Sequence, residues 1–233
     1  SGANNVMEAR GGGVYMACAG LVSNCVIQGN FILWHRNWGG GIYMTNGLVT
    51  HCLIASNLLI SSVLYWEPST PSGGGVYVAG SGIVRNSLIY ENRAEHTGHF
   101  RPDSALGGGV YLTNNGSVVH CTIVRNWVSG WTGGRGYGVY MAGGSLSNSI
   151  VAHNVPNYPN TPFIVDYENV WQVAGAVGYS CVPRSQGIVG VNNVWVDPGF
   201  SDDELRKFIE LQKKINETFA LDVGESRKEL RNW

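Results

Sequence analysis

The sequence of 233 residues predicts an all-β fold, a right-handed parallel β-helix (a solenoid) followed by a short C-terminal α-helical cap. Two observations predict the solenoid: a glycine-rich unit and an asparagine-closed unit each recur five times along the chain. The third is an abrupt change in composition after Phe200, which predicts the helical segment. We therefore expect a β-helix over residues 1–200 and a helical cap or appended segment over 201–233.

The glycine-rich unit reads GGGVYM at 11–16, with copies beginning at Gly39, Gly73, Gly107 and Gly136. Each copy leads to an asparagine that lies 18 or 19 residues after its first glycine. The closing residues are Asn30, Asn57, Asn92, Asn126 and Asn154. Short β-branched runs between Gly and Asn, without a helical period, predict strands. One such repeat cannot bury its own apolar face, but stacked repeats form a continuous core.

Alternation with period two assigns the faces of these strands. One row is predicted to face the core: Val14, Ile42, Val76, Val110 and Val139, with Met16, Met44, Val78, Leu112 and Met141. The row between them is predicted to face outward: Tyr15, Tyr43, Tyr77, Tyr111 and Tyr140. In the second unit, the inward row is Ile27, Ile54, Ile89, Ile123 and Val151.

Polar residues at fixed repeat positions have structural explanations. Asparagine tolerates left-handed backbone and can bond the next asparagine in a stack, so the closing residues predict an asparagine ladder at a corner. Cys25, Cys52 and Cys121 share an inward position with serines of other repeats, which predicts free thiols. His51 and His120 occupy the repeat position of Asn24 and are therefore predicted to be structural. Without a CxxC pair we expect no zinc site, and we expect no cofactor.

The repeats resemble those of the right-handed β-helix repeat proteins found among secreted and surface proteins of bacteria. The resemblance covers residues 11–200 and includes YSCVP at 179–183 and NVWVDPGF at 193–200. It implies a β-helix, a secreted or cell-surface location and an interaction with polysaccharide. The chain departs from that family after Phe200, where a strand-like tail is usual and this sequence predicts a helix.

The tail begins with Ser201 and Glu204, the spacing of a helix capping box. An apolar helical stripe follows, formed by Leu205, Phe208, Ile209, Ile215 and Phe219. A solenoid end exposes strand edges, so a covering element is expected there. The segment is therefore either a natural cap or an appended or designed element.

Variable segments follow each closing asparagine and are expected to leave from one corner as neighbouring loops. Loops on a rigid scaffold often carry function. Their aromatic residues are candidates for stacking on sugar rings: Trp34, Trp38, Tyr65, Trp66, Phe100, Trp127 and Trp131. The alternative is that the loops fold over the coil and bury these rings as a satellite core.

The same loops carry candidate catalytic groups, namely Glu67, Asp103, His99 and Arg101. Two carboxylates about 5–9.5 Å apart would suit glycoside hydrolysis, and a base with a cation would suit a polysaccharide lyase. Three functions remain open: polysaccharide binding, catalysis on a polysaccharide, and a non-catalytic, natural or engineered, scaffold. A net charge of −1 argues against nucleic acid as partner. No apolar run reaches the roughly 20 residues of a membrane span, and oligomeric state is left open.

Overall fold

A computed structural model gives the architecture of the chain. It describes residues 8–34, 36–61, 69–97, 104–130, 134–154, 169–183, 185, 188–195 and 198–199, together with 201, 203–204, 206–207, 210–211 and 214. Within these residues the protein is a parallel β-helix, which confirms the predicted fold class.

The strands are short and follow one another around successive coils. The first part of the chain contains β1 (Glu8–Arg10), β2 (Val14–Met16), β3 (Leu21–Ser23), β4 (Val26–Gln28), β5 (Phe31–Trp34), β6 (Arg36–Trp38), β7 (Ile42–Met44), β8 (Leu48–Thr50), β9 (Leu53–Ala55) and β10 (Leu58–Ser61). The middle contains β11 (Val76–Val78), β12 (Ile83–Arg85), β13 (Leu88–Tyr90), β14 (Arg93–His96), β15 (Val110–Leu112), β16 (Ser117–Val119), β17 (Thr122–Val124) and β18 (Trp127–Ser129). The last part contains β19 (Val139–Ser147), β20 (Ile150–Ala152), β21 (Val170–Gly178) and β22 (Gly190–Val191).

Each coil contributes one strand to each of four stacked rows. The first row is β2, β7, β11, β15 and the start of β19, and the second is β3, β8, β12, β16 and the end of β19. The third row is β4, β9, β13, β17 and β20, and the fourth is β5, β10, β14 and β18. All of these pairings are parallel and in register, as in Val76↔Ile42. Repeat positions therefore become straight columns of equivalent side chains.

The predicted inward rows form the core. Ile42, Val76 and Val110 of the first row are fully buried, as are Ile54 and Ile89 of the third, and all five belong to one apolar cluster. The opposite face of the third row is also buried, by a separate cluster of Leu53, Ala55, Leu88, Tyr90 and Val124. Both faces of the third row are thus apolar and covered in β9 and β13, whereas Val26 of β4 is exposed. The tyrosines of the first row lie on the face opposite the core, as predicted.

The asparagine ladder forms as predicted and runs in one direction. Asn57, for example, donates from its backbone N and from Nδ2 to Oδ1 of Asn92, at 3.1 and 2.9 Å. The ladder extends one step beyond the prediction, because Asn154 donates in the same way to Asn169. It also explains the third glycine of each repeat: a Cβ on Gly75 would lie 2.9 Å from Nδ2 of Asn92.

The turn between the second and third rows requires left-handed backbone. His51 and His120 have φ of 53° and 52° there, and Asn24, Asn86 and Asn148 occupy the same column with similar values. His51 accepts or donates a 2.9 Å hydrogen bond with Thr50 Oγ1. Both histidines are thus part of the turn, which confirms their structural role. Cys25, Cys52 and Cys121 are free thiols, also as predicted.

The fourth row corrects one expectation. The sequence predicts variable loops directly after the closing asparagines, but after Asn30, Asn57, Asn92 and Asn126 the first three or four residues form strands β5, β10, β14 and β18. These strands stack because every second residue is small or aliphatic and packs in a third cluster with Ala105 and Tyr137. The inward members of the row are Ile32, Leu59, Ala94 and Val128.

The tail begins as the capping box predicts. Glu204 accepts the backbone N–H of Ser201 at 2.9 Å, and Ser201 Oγ accepts that of Glu204 at 3.2 Å. The backbone N–H and the hydroxyl of Ser201 both donate to the Glu204 carboxylate, and these two hydrogen bonds lower its pKa. Helical backbone is described at 203–204, 206–207, 210–211 and 214. The predicted apolar stripe of the helix (Leu205, Phe208, Ile209, Ile215 and Phe219) lies outside the described residues.

Candidate functional site

The outward column of the first row is a continuous stack of aromatic rings, here called the tyrosine ladder (Tyr15, Tyr43, Tyr77, Tyr111 and Tyr140). Successive ring centroids lie 5.5, 5.3, 4.7 and 5.2 Å apart, with interplanar angles of 3–13°. Trp171 of β21 continues the column in register with Tyr140. Because the ring faces cover one another, little of each ring face is open: Tyr43 is buried, and Tyr77, Tyr111 and Tyr140 are half-buried. Tyr15, at the end of the stack, is 54% exposed.

A second column borders the ladder and is called the flanking row (Arg10, Trp38, Ser72, Leu106 and Arg135). Its members are neighbours across parallel pairings that precede the glycines of each coil. The Trp38 ring meets Tyr77 edge-on, with centroids 6.4 Å apart. The Arg10 guanidinium lies 5.2 Å from the centroid of Trp38 and 5.5 Å from that of Tyr43. The ladder and the flanking row therefore form one polar–aromatic surface.

Arginines supply the charge at both ends of this surface. At one end, Arg10 is paired with Glu8 at 3.1 Å, and Arg36 lies 3.9 Å from the same carboxylate. At the other, the exposed Arg135 lies over Trp171 with its guanidinium carbon 4.5 Å from the ring centroid. In the described part of the chain Arg135 has no carboxylate partner. The Arg135 guanidinium therefore contacts an aromatic ring face, and its N–H groups are not engaged by a carboxylate among the described residues.

Four of the ladder hydroxyls, those of Tyr43, Tyr77, Tyr111 and Tyr140, remain protonated over the physiological range. Burial raises the pKa of Tyr43, Tyr77, Tyr111 and Tyr140. Neighbouring phenols add to this effect for Tyr77 and Tyr111, since two adjacent phenolates would repel each other. A protonated phenol both donates and accepts a hydrogen bond, which suits hydroxyl-bearing ligands.

The structure separates the predicted aromatic residues that it describes. Trp38 lies in the flanking row beside the tyrosine ladder. Trp127 lies at the start of β18 in the fourth row, where the Arg93 guanidinium lies 3.6 Å from its centroid, and Arg93 is itself paired with Glu95 at 2.6 Å. For Trp34 the structure describes the backbone only, at the end of β5. Trp38 and Trp127 therefore belong to different columns.

The remaining predicted site residues lie outside the described residues. They are Glu67, His99, Arg101 and Asp103, with the aromatic residues Tyr65, Trp66, Phe100 and Trp131. The structure does describe the strand ends that precede two of these segments. Ser61 at the end of β10 pairs in register with His96 at the end of β14. The first two of these loops thus leave the coil from neighbouring strands, as predicted.

The tyrosine ladder is the surface to which the sequence analysis gave no function. Its signal was present, since the tyrosine recurs in every GGGVYM unit while its outward position does not require an aromatic residue. The sequence did not single out Trp171 or Arg135. Trp171 lies in the last coil, which departs from the repeat, and the position of Arg135 holds a different type of residue in the three coils before it.

Two further findings concern the described residues. No group of three or more His, Cys, Asp or Glu side chains is placed there to hold a metal ion. Within the same residues, no helix has the length and hydropathy to cross a membrane.

Comparison with known proteins assigns the family. Residues 2–155 match the family model described as "Right handed beta helix region". The matched segment includes all five glycine-rich units. No curated protein and no solved structure matches the chain.

Proposed function

This chain belongs to the right-handed β-helix family, and we propose that it binds a polysaccharide along the tyrosine ladder and flanking row. The observation that carries the proposal is the in-register column of outward tyrosines, bordered by Trp38 and by arginines at both ends. A polymer with regularly repeated hydroxyls matches a surface whose own hydroxyl-bearing side chains repeat at 4.7–5.5 Å.

The stacking geometry constrains how such a polymer binds. Ring faces within the ladder are occupied by neighbouring tyrosines, so sugar rings cannot insert between them. Contact along the ladder therefore comes from hydroxyl hydrogen bonds and ring edges. Face-on stacking is left to the exposed end ring, Tyr15, because the Arg10 guanidinium lies over the Trp38 ring. The chain of the polymer then runs parallel to the solenoid axis.

Removing ladder hydroxyls tests this proposal without removing the stack. We expect Tyr77→Phe with Tyr111→Phe to weaken binding to a glycan-array hit about tenfold, because two modest hydrogen bonds are lost. Calorimetric titration measures the change. Tyr179→Phe is the matched control, since Tyr179 is exposed on the turn after β21. Unchanged affinity in the double variant would place any glycan site elsewhere.

Catalysis is the second candidate, because the loops of Glu67 and Asp103 leave from the paired strands β10 and β14. If the protein cleaves its ligand, Glu67→Gln or Asp103→Asn should abolish turnover and leave binding largely intact. A reducing-sugar assay detects hydrolysis and an unsaturated-uronate assay detects a lyase. Binding without product in either assay makes the protein a binding module, and no binding to any glycan supports a scaffold.

We also propose a secreted or cell-surface location, since polymers of this kind are found outside the cell. Fractionation of the native host measures it. Recovery of the protein only from the cytosolic fraction would contradict this part of the proposal.

A further inference from the structure

The residue directly before each strand of the third row is small, and these residues form a column through the stack. The first two members of this column are both cysteines. Cys25 precedes β4 and Cys52 precedes β9, whereas the following coils carry Ser87, Cys121 and Ser149. β4 and β9 pair in parallel with Val26 opposite Leu53, and Leu53 N donates to Cys25 O at 2.9 Å. The two cysteines are therefore on adjacent coils at the same position.

Their side chains approach the same turn. Cys25 Sγ donates to Ser23 O at 3.1 Å, and Cys52 Sγ is directed toward Val22 O of the preceding coil at 3.7 Å. Neighbouring strands place Cα atoms about 4.8 Å apart, which lies inside the range of about 4.4–6.8 Å that a disulfide spans.

The two thiols differ in access. Cys25 is exposed on the first described coil, while Cys52 is fully buried in the core. A soluble oxidant can therefore reach the first sulfur, and only the protein can bring the second sulfur to it.

We propose that Cys25 and Cys52 are a redox pair in which the exposed Cys25 reacts first with a small-molecule disulfide and Cys52 then closes the bond. The Cys25 thiolate attacks the disulfide, forms a mixed disulfide and releases one thiolate. The Cys52 thiolate attacks the Cys25 sulfur, forms the Cys25–Cys52 bond and releases the second thiolate. The two protons of the protein thiols pass through solvent to the two released thiols. The bond ties the first coil to the second.

Cys121 provides a comparison within the same column. Its Sγ is directed toward the preceding coil in the same way, 3.6 Å from Val84 O. There the column holds Ser87, and on the other side Ser149 Oγ accepts the Cys121 N–H at 3.1 Å. Because Ser87 and Ser149 occupy this position on the two adjacent coils, Cys121 has no cysteine of the column on a neighbouring coil to bond with.

The test uses the full chain in a Cys18→Ser background, because Cys18 is a second exposed thiol nearby in sequence. Reduced protein is incubated with glutathione disulfide, alkylated and mapped by mass spectrometry. We expect a Cys25–Cys52 linked peptide with Cys121 fully alkylated. With Cys52→Ser, the reaction should stop at glutathionylated Cys25, and with Cys25→Ser, Cys52 should remain alkylatable after denaturation.

The dependence on pH supplies a second readout that needs no variant. Burial raises the pKa of Cys52 to about 11, so the thiolate that closes the bond is scarce at neutral pH. Below that pKa, the rate of the closing step should therefore rise about tenfold for each unit by which the pH is increased. Two results would overturn the proposal in the Cys18→Ser protein. One is that Cys25 stays glutathionylated at every pH, and the other is a link between Cys25 and any cysteine other than Cys52.

Discussion

Single buried aliphatic residues account for much of the stability of this coil. Ile89 is fully buried in the middle of the stack, and we expect Ile89→Ala to lower the free energy of unfolding by about 2–5 kcal/mol through lost burial and a residual cavity. Urea denaturation measures the loss. Ile83→Ala is the control, because Ile83 is 40% exposed and should cost far less. A loss below about 0.5 kcal/mol at position 89 would contradict the assigned faces.

Glycine is required where the coil passes the asparagine ladder. A Cβ at Gly75 would lie 2.7 Å from Gly109 O and 2.9 Å from the Asn92 amide, and neither group can move without breaking ladder bonds. We expect Gly75→Ala to destabilise by about 3 kcal/mol, as overpacking does in a dense core. Gly178→Ala is the matched control, since its nearest contact would be an ordinary 3.6 Å. Equal melting temperatures for both variants would show that the ladder does not exclude a side chain at Gly75.

At the scale of the strand, the sequence predicted what repeats and missed what does not. The first and third rows repeat the same residues from coil to coil, so their strands, their faces and the asparagine ladder could be predicted directly. The fourth-row segments FILW, LLIS, RAEH and WVS share no residue at equivalent positions, and only their alternation makes them strands. Asn169 was missed for a related reason: it reaches the ladder from the position that glycine occupies in earlier coils, with Gly138 N donating to its carbonyl.

The tyrosine ladder as an element predicts how stability depends on pH. The pKa of Tyr77 and Tyr111 is raised in the folded state, so unfolded tyrosine ionises first, near its usual value of about 10. Stability should therefore be intact below that value and fall as pH rises through the folded values. Urea midpoints at about pH 9 and about pH 11 measure the slope.

Two variants separate the contributors to this slope. Tyr77→Phe with Tyr111→Phe should flatten it, because the phenols that ionise are gone. Burial also raises the pKa of Cys52 to about 11 and of Cys121 to about 12, so these thiols contribute in an overlapping window that begins lower. Cys52→Ser should reduce only that earlier part. A slope unchanged in the double phenylalanine variant would mean that the ladder phenols ionise alike in both states.

For the whole molecule, the C-terminal end of the coil combines closed polar ladders with open apolar surface. The asparagine ladder ends with Asn169 Nδ2 donating to Pro183 O at 2.7 Å, and the serine column ends with Ser180 N donating to Asn193 Oδ1 at 3.1 Å. Four apolar residues beyond these points are more than half exposed: Val189, Val191, Val194 and Trp195. The exposed apolar residues favour self-association of the protein through this end, because the neighbouring polar groups already have hydrogen-bond partners and do not require water.

We expect Val191→Lys in β22 to lower self-association, because a lysine on an edge strand opposes pairing with another chain. Val191 is 60% exposed, so the fold should tolerate the charge and the melting temperature should not fall. Sedimentation velocity across a concentration series measures the change. Val177→Lys is the contrasting variant, since Val177 is 1% exposed and a buried unpaired lysine should unfold the end of the coil.

The tail is the last part of the molecule that bears on this end. Its capping box begins at Ser201, two residues after Gly199, the last described residue of the coil, and the first helical backbone described is at 203–204. We propose that residues 201–233 shield the end of the coil, and we expect their deletion to increase aggregation. Adding Val191→Lys to the deleted chain should reverse much of that increase if edge pairing through β22 is the cause. A deleted chain that stays monomeric with unchanged melting would instead make the tail an independent appendage, and the exposed valines would then be tolerated by the coil alone.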